Sequence, residues 1–198
     1  MKQKIILASG SKQRKLIMDS LGLSYLVIPA DVNEKSIRDE NLKIRAEKIA
    51  RLKAETVDKE NQGIIIAADT FAFCDGKVLE KPESLEEAKE MLRLEAKNKV
   101  IVYTGFCYID KVNNINFSTT SISSFTLREI TDYEIDNFVD NNPVLQWSAA
   151  FCPLYLYQTG FLKYFEGSMT GVSGLPVDLL TECFKKSGVE IKGSSISI

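Results

Sequence analysis

The chain has 198 residues, 44% of them hydrophobic and 26% charged, with a formal net charge of −2. That balance supports a substantial core in one large domain or two lobes, and argues against a broad nucleic-acid or anionic-membrane surface while leaving room for a local basic pocket. No apolar run approaches the roughly eighteen residues of a membrane helix, and the N-terminus has too few apolar residues for a signal-peptide core, so a soluble cytoplasmic protein is expected.

Histidine is absent. Ser-His-Asp and Cys-His nucleophilic schemes and His-containing zinc sites are therefore excluded. Acid–base and metal chemistry fall to Asp, Glu, Lys or Tyr, and carboxylate ligands favour the hard ions Mg²⁺ or Mn²⁺. Cys74, Cys107, Cys152 and Cys183 are scattered without a C-x-x-C pair and read as buried thiols.

The first element predicted is a strand at Ile6, followed by the small residues Ala8 to Ser11 and a helix that begins near Ser11 and closes at Gly22. Lys12, Arg14 and Lys15 load the start of that helix with positive charge, although a helix N-terminus already carries about half a positive charge. Tyr25 to Ala30 reads as a second strand, leading into an acidic loop with Asp31 and Glu34. A helical apolar pattern runs from Asn41 to Val57. "GIIIAADTFAF" has the composition of a central buried strand. Asp75-Gly76 then marks a two-residue hairpin, and Ser84 with Glu87 forms a capping box for a helix to about Leu94.

Two strands joined across Asn113-Asn114 form a long antiparallel hairpin. Thr131 with Glu134 caps a helix that Pro143 ends, and a β-rich segment is expected from Phe151 to Phe165. Pro176 opens a last helix from Val177 to Lys186, closed at Gly188, and the final residues, "KGSSISI", are expected to fray. These elements predict mixed α/β architecture with a bent, partly antiparallel sheet and two lobes rather than two independent domains.

Four charged residues stand out. Lys53 shares a helix face with Ile49, Ala50 and Val57, where it is either a snorkelling lysine or a cation held over a cleft. Asp69 ends a buried strand, where an acid faces the ligand region of an open α/β sheet or caps the next turn. Lys81, beside Pro82, returns along the hairpin towards the level of Asp69, and Glu34 lies in the acidic loop. Taken singly, both have ordinary explanations. Together, a nest with Ser9 and Ser11, several basic side chains and two carboxylates suit a polyphosphate with its Mg²⁺. The Ala8–Ser11 loop matches neither G-x-x-x-x-G-K-[ST] nor G-x-G-x-x-G.

Six motifs in order resemble the Maf family of nucleoside triphosphate pyrophosphatases, once described as septum-formation inhibitors. They are "LASGSKQR", "ADVNEKS", "IARLKA", "AADTFAFCDGKVLEKP", "VYTGF" and "VSGLPV", and span about Ile5 to Pro176. The resemblance implies a two-lobed Maf/ITPase-like α/β fold around a deep central cleft, one domain over residues 1–198, and a homodimer. It implies hydrolysis of a nucleoside triphosphate to the monophosphate and pyrophosphate with Mg²⁺ or Mn²⁺, with removal of non-standard or modified nucleotides as one role, and without nucleic-acid or membrane partners. By position, Ser9, Gln13, Arg14, Lys53 and Thr70 would bind substrate. Asp69, Glu34 and Lys81 would be catalytic, with Glu34 and Asp69 as metal ligands and Asp69 either the base or a ligand.

The chain also departs from the family. Lys12 replaces a family proline, and Gln13 replaces an arginine at a position associated with substrate choice. Thr70 keeps the form of members resembling dTTP/UTP pyrophosphatases. Trp147 and Ser148 stand where the family shows Asp-Lys, and Tyr155 falls near its glutamine. The base pocket is thus expected to be rebuilt with apolar and aromatic groups, either for a different base or in a weakened enzyme. The alternative is a nucleotide-binding regulator without turnover.

Overall fold

A computed structural model describes residues 3–191. The predicted fraying of residues 192–198 lies outside that range. Strands β1 (Ile5–Leu7), β2 (Leu26–Val27), β3 (Ile64–Cys74), β4 (Lys77–Leu79), β5 (Val100–Asp110), β6 (Ile115–Leu127) and β7 (Leu162–Glu166) form one mixed sheet in the order β2-β1-β3-β5-β6-β7, with β4 paired to β3. Helices are α1 (Lys12–Ser20), α2 (Leu42–Asp58), α3 (Leu85–Lys97), α4 (Asp132–Asn141), α5 (Pro153–Gln158), α6 (Met169–Val172) and α7 (Val177–Lys186). The chain divides into two compact units, one holding residues up to Asp69, Thr104–Ser121 and from Gly174 on, the other Thr70–Tyr103 and Ile122–Ser173.

In the first unit, β1 pairs in parallel with β2 and with β3, and strand alternation sorts the side chains between two helical layers. Ile5, Leu7, Ile64, Ile66 and Ala68 pack with Met18 of α1 and with Leu180 and Phe184 of α7. Ile6, Ala8, Ile65 and Ala67 point the other way and meet Ala50, Ala54 and Val57 of α2. That second layer is tight. A Cβ on Gly105 would lie 1.9 Å from the carbonyl oxygen of Ala46, so β5 needs a glycine where α2 crosses it.

In the second unit, Asp75 (φ 48) and Gly76 (φ 77) both take left-handed conformations and close the predicted two-residue hairpin, with Cys74 opposite Lys77. β6 and β7 pair antiparallel. Phe125, Phe138, Trp147, Phe151 and Phe161 fill the core against Leu92 of α3 and Leu156 of α5. The capping box at Thr131 and Glu134 forms as predicted, with both reciprocal bonds in place.

Three expectations need correction. The second strand shrinks from Tyr25–Ala30 to Leu26–Val27, because Pro29 has no N–H to extend the ladder. Ser84 caps α3 through the N–H of Glu87, but the Glu87 carboxylate accepts from Glu83 at 2.6 Å, so the box is not closed on Ser84 itself. The β-rich segment expected from Phe151 to Phe165 is a strand only at Leu162–Glu166. Before it, Val144–Gln146 and Ser148–Ala150 are short 3₁₀ turns, and Pro153 opens α5. The N–H groups of Tyr155 and Leu156 both donate to the Cys152 carbonyl, carrying Leu156 into the core, and Gly160 (φ 69) ends the turn. Core packing overrides the strand propensity of these aromatic residues.

Ala149 (φ 57) and Ala150 (φ 56) are fully buried in left-handed conformations, each costing roughly 1 kcal/mol for a residue with a Cβ. Glu95 on α3 is 0% exposed, and neither carboxylate oxygen has a hydrogen-bond partner among the described residues. Burial pushes its carboxyl well above the ordinary range.

Two outcomes follow from this packing. Gly105→Ala drives a methyl group into the α2 backbone and is expected to cost on the order of 3 kcal/mol, read as a lowered thermal midpoint. Because the fold favours the neutral Glu95, the wild-type chain draws full stability from that group only below its unfolded value of about 4.3, and loses it as pH rises towards the folded value. Glu95→Gln has no proton to lose. Its melting temperature is expected to gain on wild type between pH 5 and pH 8, and a constant difference would mean that the carboxylate is paired.

Candidate active site

β1 pairs in parallel with Ile64–Ile66 and ends at Leu7, whereas β3 runs on to Cys74, so Asp69 stands in mid-strand just past the carboxyl end of β1 and not at a strand end as expected. The Ala8 N–H donates to Ile66 O at 2.8 Å and carries the β1 loop alongside β3. In that loop the Ser9 hydroxyl oxygen accepts from Ser11 N–H at 3.3 Å and from Arg14 Nη1 at 2.9 Å. Ser11 is the N-cap of α1, and its hydroxyl donates to the Gln13 side-chain oxygen at 3.2 Å.

Of the three basic residues at this helix start, Lys12 and Lys15 are exposed and only Arg14 is drawn inward. Its Nε donates to the Gly174 carbonyl at 2.7 Å. Burial lowers the pKa of the guanidinium, and the negative charges of Asp69 and Glu34 oppose that shift.

Asp69 has the same parity on β3 as Ile65 and Ala67, so it faces α2. On α2, Ala46, Ile49, Ala50, Lys53, Ala54 and Val57 form one buried stripe. These two periodicities bring Lys53 and Asp69 together at 2.7 Å, each only 7% exposed. A second carboxylate arrives from the 3₁₀ turn Glu34–Ser36, and Glu34 Oε1 stands 2.8 Å from the same ammonium. Lys53 thus bridges two acids. The ammonium engages one oxygen of each acid, Asp69 Oδ1 and Glu34 Oε1.

Five predicted site residues, Ser9, Arg14, Glu34, Lys53 and Asp69, are therefore gathered in the first unit, and Gln13 is committed to the Ser11 hydroxyl. Thr70 and Lys81 belong to the second unit. There the Ser148 hydroxyl donates to the Thr70 carbonyl at 2.9 Å, and Lys81 is exposed just past β4. Sequence reading assigned no role to the Gly174 carbonyl, although it lies inside the recognised stretch "VSGLPV". The Ser148 contact had no local signal, since it joins residues 78 positions apart.

Removing the ammonium leaves Asp69 buried beside Glu34. Lys53→Met is therefore expected to lower unfolding free energy by about 3 kcal/mol. Asp69→Asn, which leaves Lys53 paired with Glu34, is expected to cost only about 1 kcal/mol. Urea unfolding of both variants measures the contrast, and a Lys53→Met chain as stable as wild type would refute a desolvated pair.

The sequence profile of the Maf family, described as Maf-like protein, matches residues 4–187. A dTTP/UTP pyrophosphatase of Acholeplasma laidlawii is 29% identical over 183 residues, 91% of this chain and 95% of that one. The protein of the same name in Thermotoga maritima is 31% identical over 93% of this chain and 90% of its own. In Methanosarcina barkeri the figures are 31% identity over 98% and 100%. Among solved structures, a HAM1 protein from Coxiella burnetii superimposes with a TM-score of 0.47 at 15% identity, over 93% of this chain and 99% of that one. With the profile covering nearly the whole chain, this protein belongs to the Maf family.

Proposed function

We infer that this chain is a nucleoside triphosphate pyrophosphatase, a hydrolase of nucleotide metabolism that yields the monophosphate and pyrophosphate. Relatives named dTTP/UTP pyrophosphatase and matching along nearly their whole length support the reaction class. One observation carries the site assignment: a lysine and an arginine gathered with two carboxylates in the first unit, just past the end of β1.

In this reading Ser9, Gln13, Arg14, Lys53 and Thr70 hold the substrate, with the cations on the phosphates. A water oxygen bonds to the α-phosphorus, and the bond from that phosphorus to the bridging oxygen breaks. Pyrophosphate leaves with the electron pair. Asp69 accepts the water's proton, while Lys53, Arg14 and Lys81 neutralise charge growing on the leaving group.

Among the described residues no group of three or more His, Cys, Asp or Glu is arranged to hold a metal. A hard divalent ion that keeps water and phosphate oxygens needs only one or two carboxylates, so Asp69 and Glu34 fit Mg²⁺ or Mn²⁺. When bound, the ion would lower the pKa of water and stabilise phosphate charge.

We further propose two lobes around one cleft, a homodimer and a cytoplasmic location, as the family resemblance implies. Among the described residues no helix is long and apolar enough to cross a membrane. The substrates favoured are pyrimidine triphosphates or their modified forms, as the relatives' names suggest; Trp147, expected to help rebuild a base pocket, is instead packed in the core of the second unit.

The test is pyrophosphate release from ordinary and modified triphosphates with Mg²⁺, with Mn²⁺ and with chelator. Asp69→Asn is expected to slow turnover by on the order of a hundredfold or more. Undiminished activity in that variant, or release of single phosphates, would refute the mechanism, and tight binding without turnover would point to a regulator instead.

A further inference from the structure

Two neighbouring residues grip two backbone carbonyls beside proposed reacting groups. The Ser148 hydroxyl donates to the carbonyl of Thr70, the residue after Asp69, at 2.9 Å. The Ala149 N–H donates to the carbonyl of Glu80 at 2.8 Å, and so holds the peptide that joins Glu80 to Lys81. Both grips come from a strained segment. Ala149 and Ala150 are buried in left-handed conformations that residues with a Cβ rarely take. The Trp147 ring anchors the segment, lying 4.8 Å from the Tyr155 ring and 6.3 Å from the Phe138 ring.

Core filling does not call for this arrangement. An alanine at the half-buried position 148 would fill the same space without needing a partner, and a relaxed turn would avoid two left-handed alanines. The geometry instead serves to pin β3 one residue beyond Asp69 and the chain one residue before Lys81. A side chain leaving a pinned backbone keeps its direction, and small displacements of a reacting group lower the rate steeply.

We propose that Ser148 is a positioning residue for hydrolysis: through the Thr70 carbonyl it fixes the direction in which the Asp69 carboxylate leaves β3. Ser148 acts through the backbone and does not touch the substrate. This assignment rests on the proposed pyrophosphatase reaction.

The experiment compares wild type, Ser148→Ala, Ser148→Thr and Ser148→Cys in steady-state pyrophosphate release, with the thermal midpoint of each. Loss of the donor is expected to lower kcat on the order of tenfold to a hundredfold, with KM unchanged within about twofold. Threonine keeps the hydroxyl and is expected to retain kcat within about threefold, whereas cysteine, a near-isostere but weak donor, is expected to fall below threonine. If Ser148→Ala melts below the assay temperature, the threonine–cysteine contrast carries the test.

Unchanged kcat in Ser148→Ala, or threonine no better than cysteine, overturns the positioning role. A raised KM with kcat intact also overturns it, because that pattern marks a substrate contact. A wild-type chain that releases no pyrophosphate overturns the reaction itself and the role built on it, so the two failures are distinguishable.

Discussion

The ammonium of Lys53, shared between Asp69 and Glu34, is the interaction on which the site depends. It exists because two periodicities coincide. Strand alternation turns Asp69 towards α2, and the helical repeat places Lys53 within the stripe that α2 buries. The helix comes close enough only because its sheet-facing residues include three alanines and because Gly105 leaves room beneath Ala46. Desolvating an ammonium and a carboxylate costs several kcal/mol before their attraction returns it. Apolar residues at these positions would serve stability at least as well, so the charges point to a ligand rather than to the fold.

The loop after β1 completes that arrangement in the same unit. Its helix has no acidic residue in the first turn, and the three basic residues there divide by orientation. Lys12 and Lys15 stay in solvent, where their repulsion from the helix dipole is screened. Arg14 alone turns in, steered by a serine hydroxyl and the Gly174 carbonyl, and offset by the two acids that Lys53 already bridges. A multiply charged anion complements such a site. The two carboxylates beside it complement a divalent cation.

The segment between Pro143 and Gly160 is where this chain departs most from its family, and where its local rules fail. Aromatic content suggests a strand, yet the backbone makes two 3₁₀ turns and a short helix. Two alanines sit in left-handed conformations with no side chain suited to them. The compensation is tertiary: Trp147, Phe151 and Leu156 enter the core, and Ser148 and Ala149 dock on the backbone at Thr70 and Glu80. Glu95, buried and without a hydrogen-bond partner among the described residues, is a second local cost carried by the same unit.

Much of this was legible beforehand. A continuous apolar run marked β3, a period-3.6 pattern marked α2, Asp75-Gly76 marked its hairpin, and Thr131 with Glu134 marked a helix start, because each is a local property of the backbone and its nearest side chains. The same reading singled out Lys53, Asp69, Glu34 and Arg14, since a charge inside an apolar pattern, or a cation at the wrong helix end, needs a partner. Which partner each residue takes was decided only by tertiary structure. Lys53 reaches across 16 residues to Asp69, and Ser148 across 78 to Thr70. The turns after Pro143 were equally hidden, because burying their aromatic rings outweighs local propensity and no short window contains the surface that receives them.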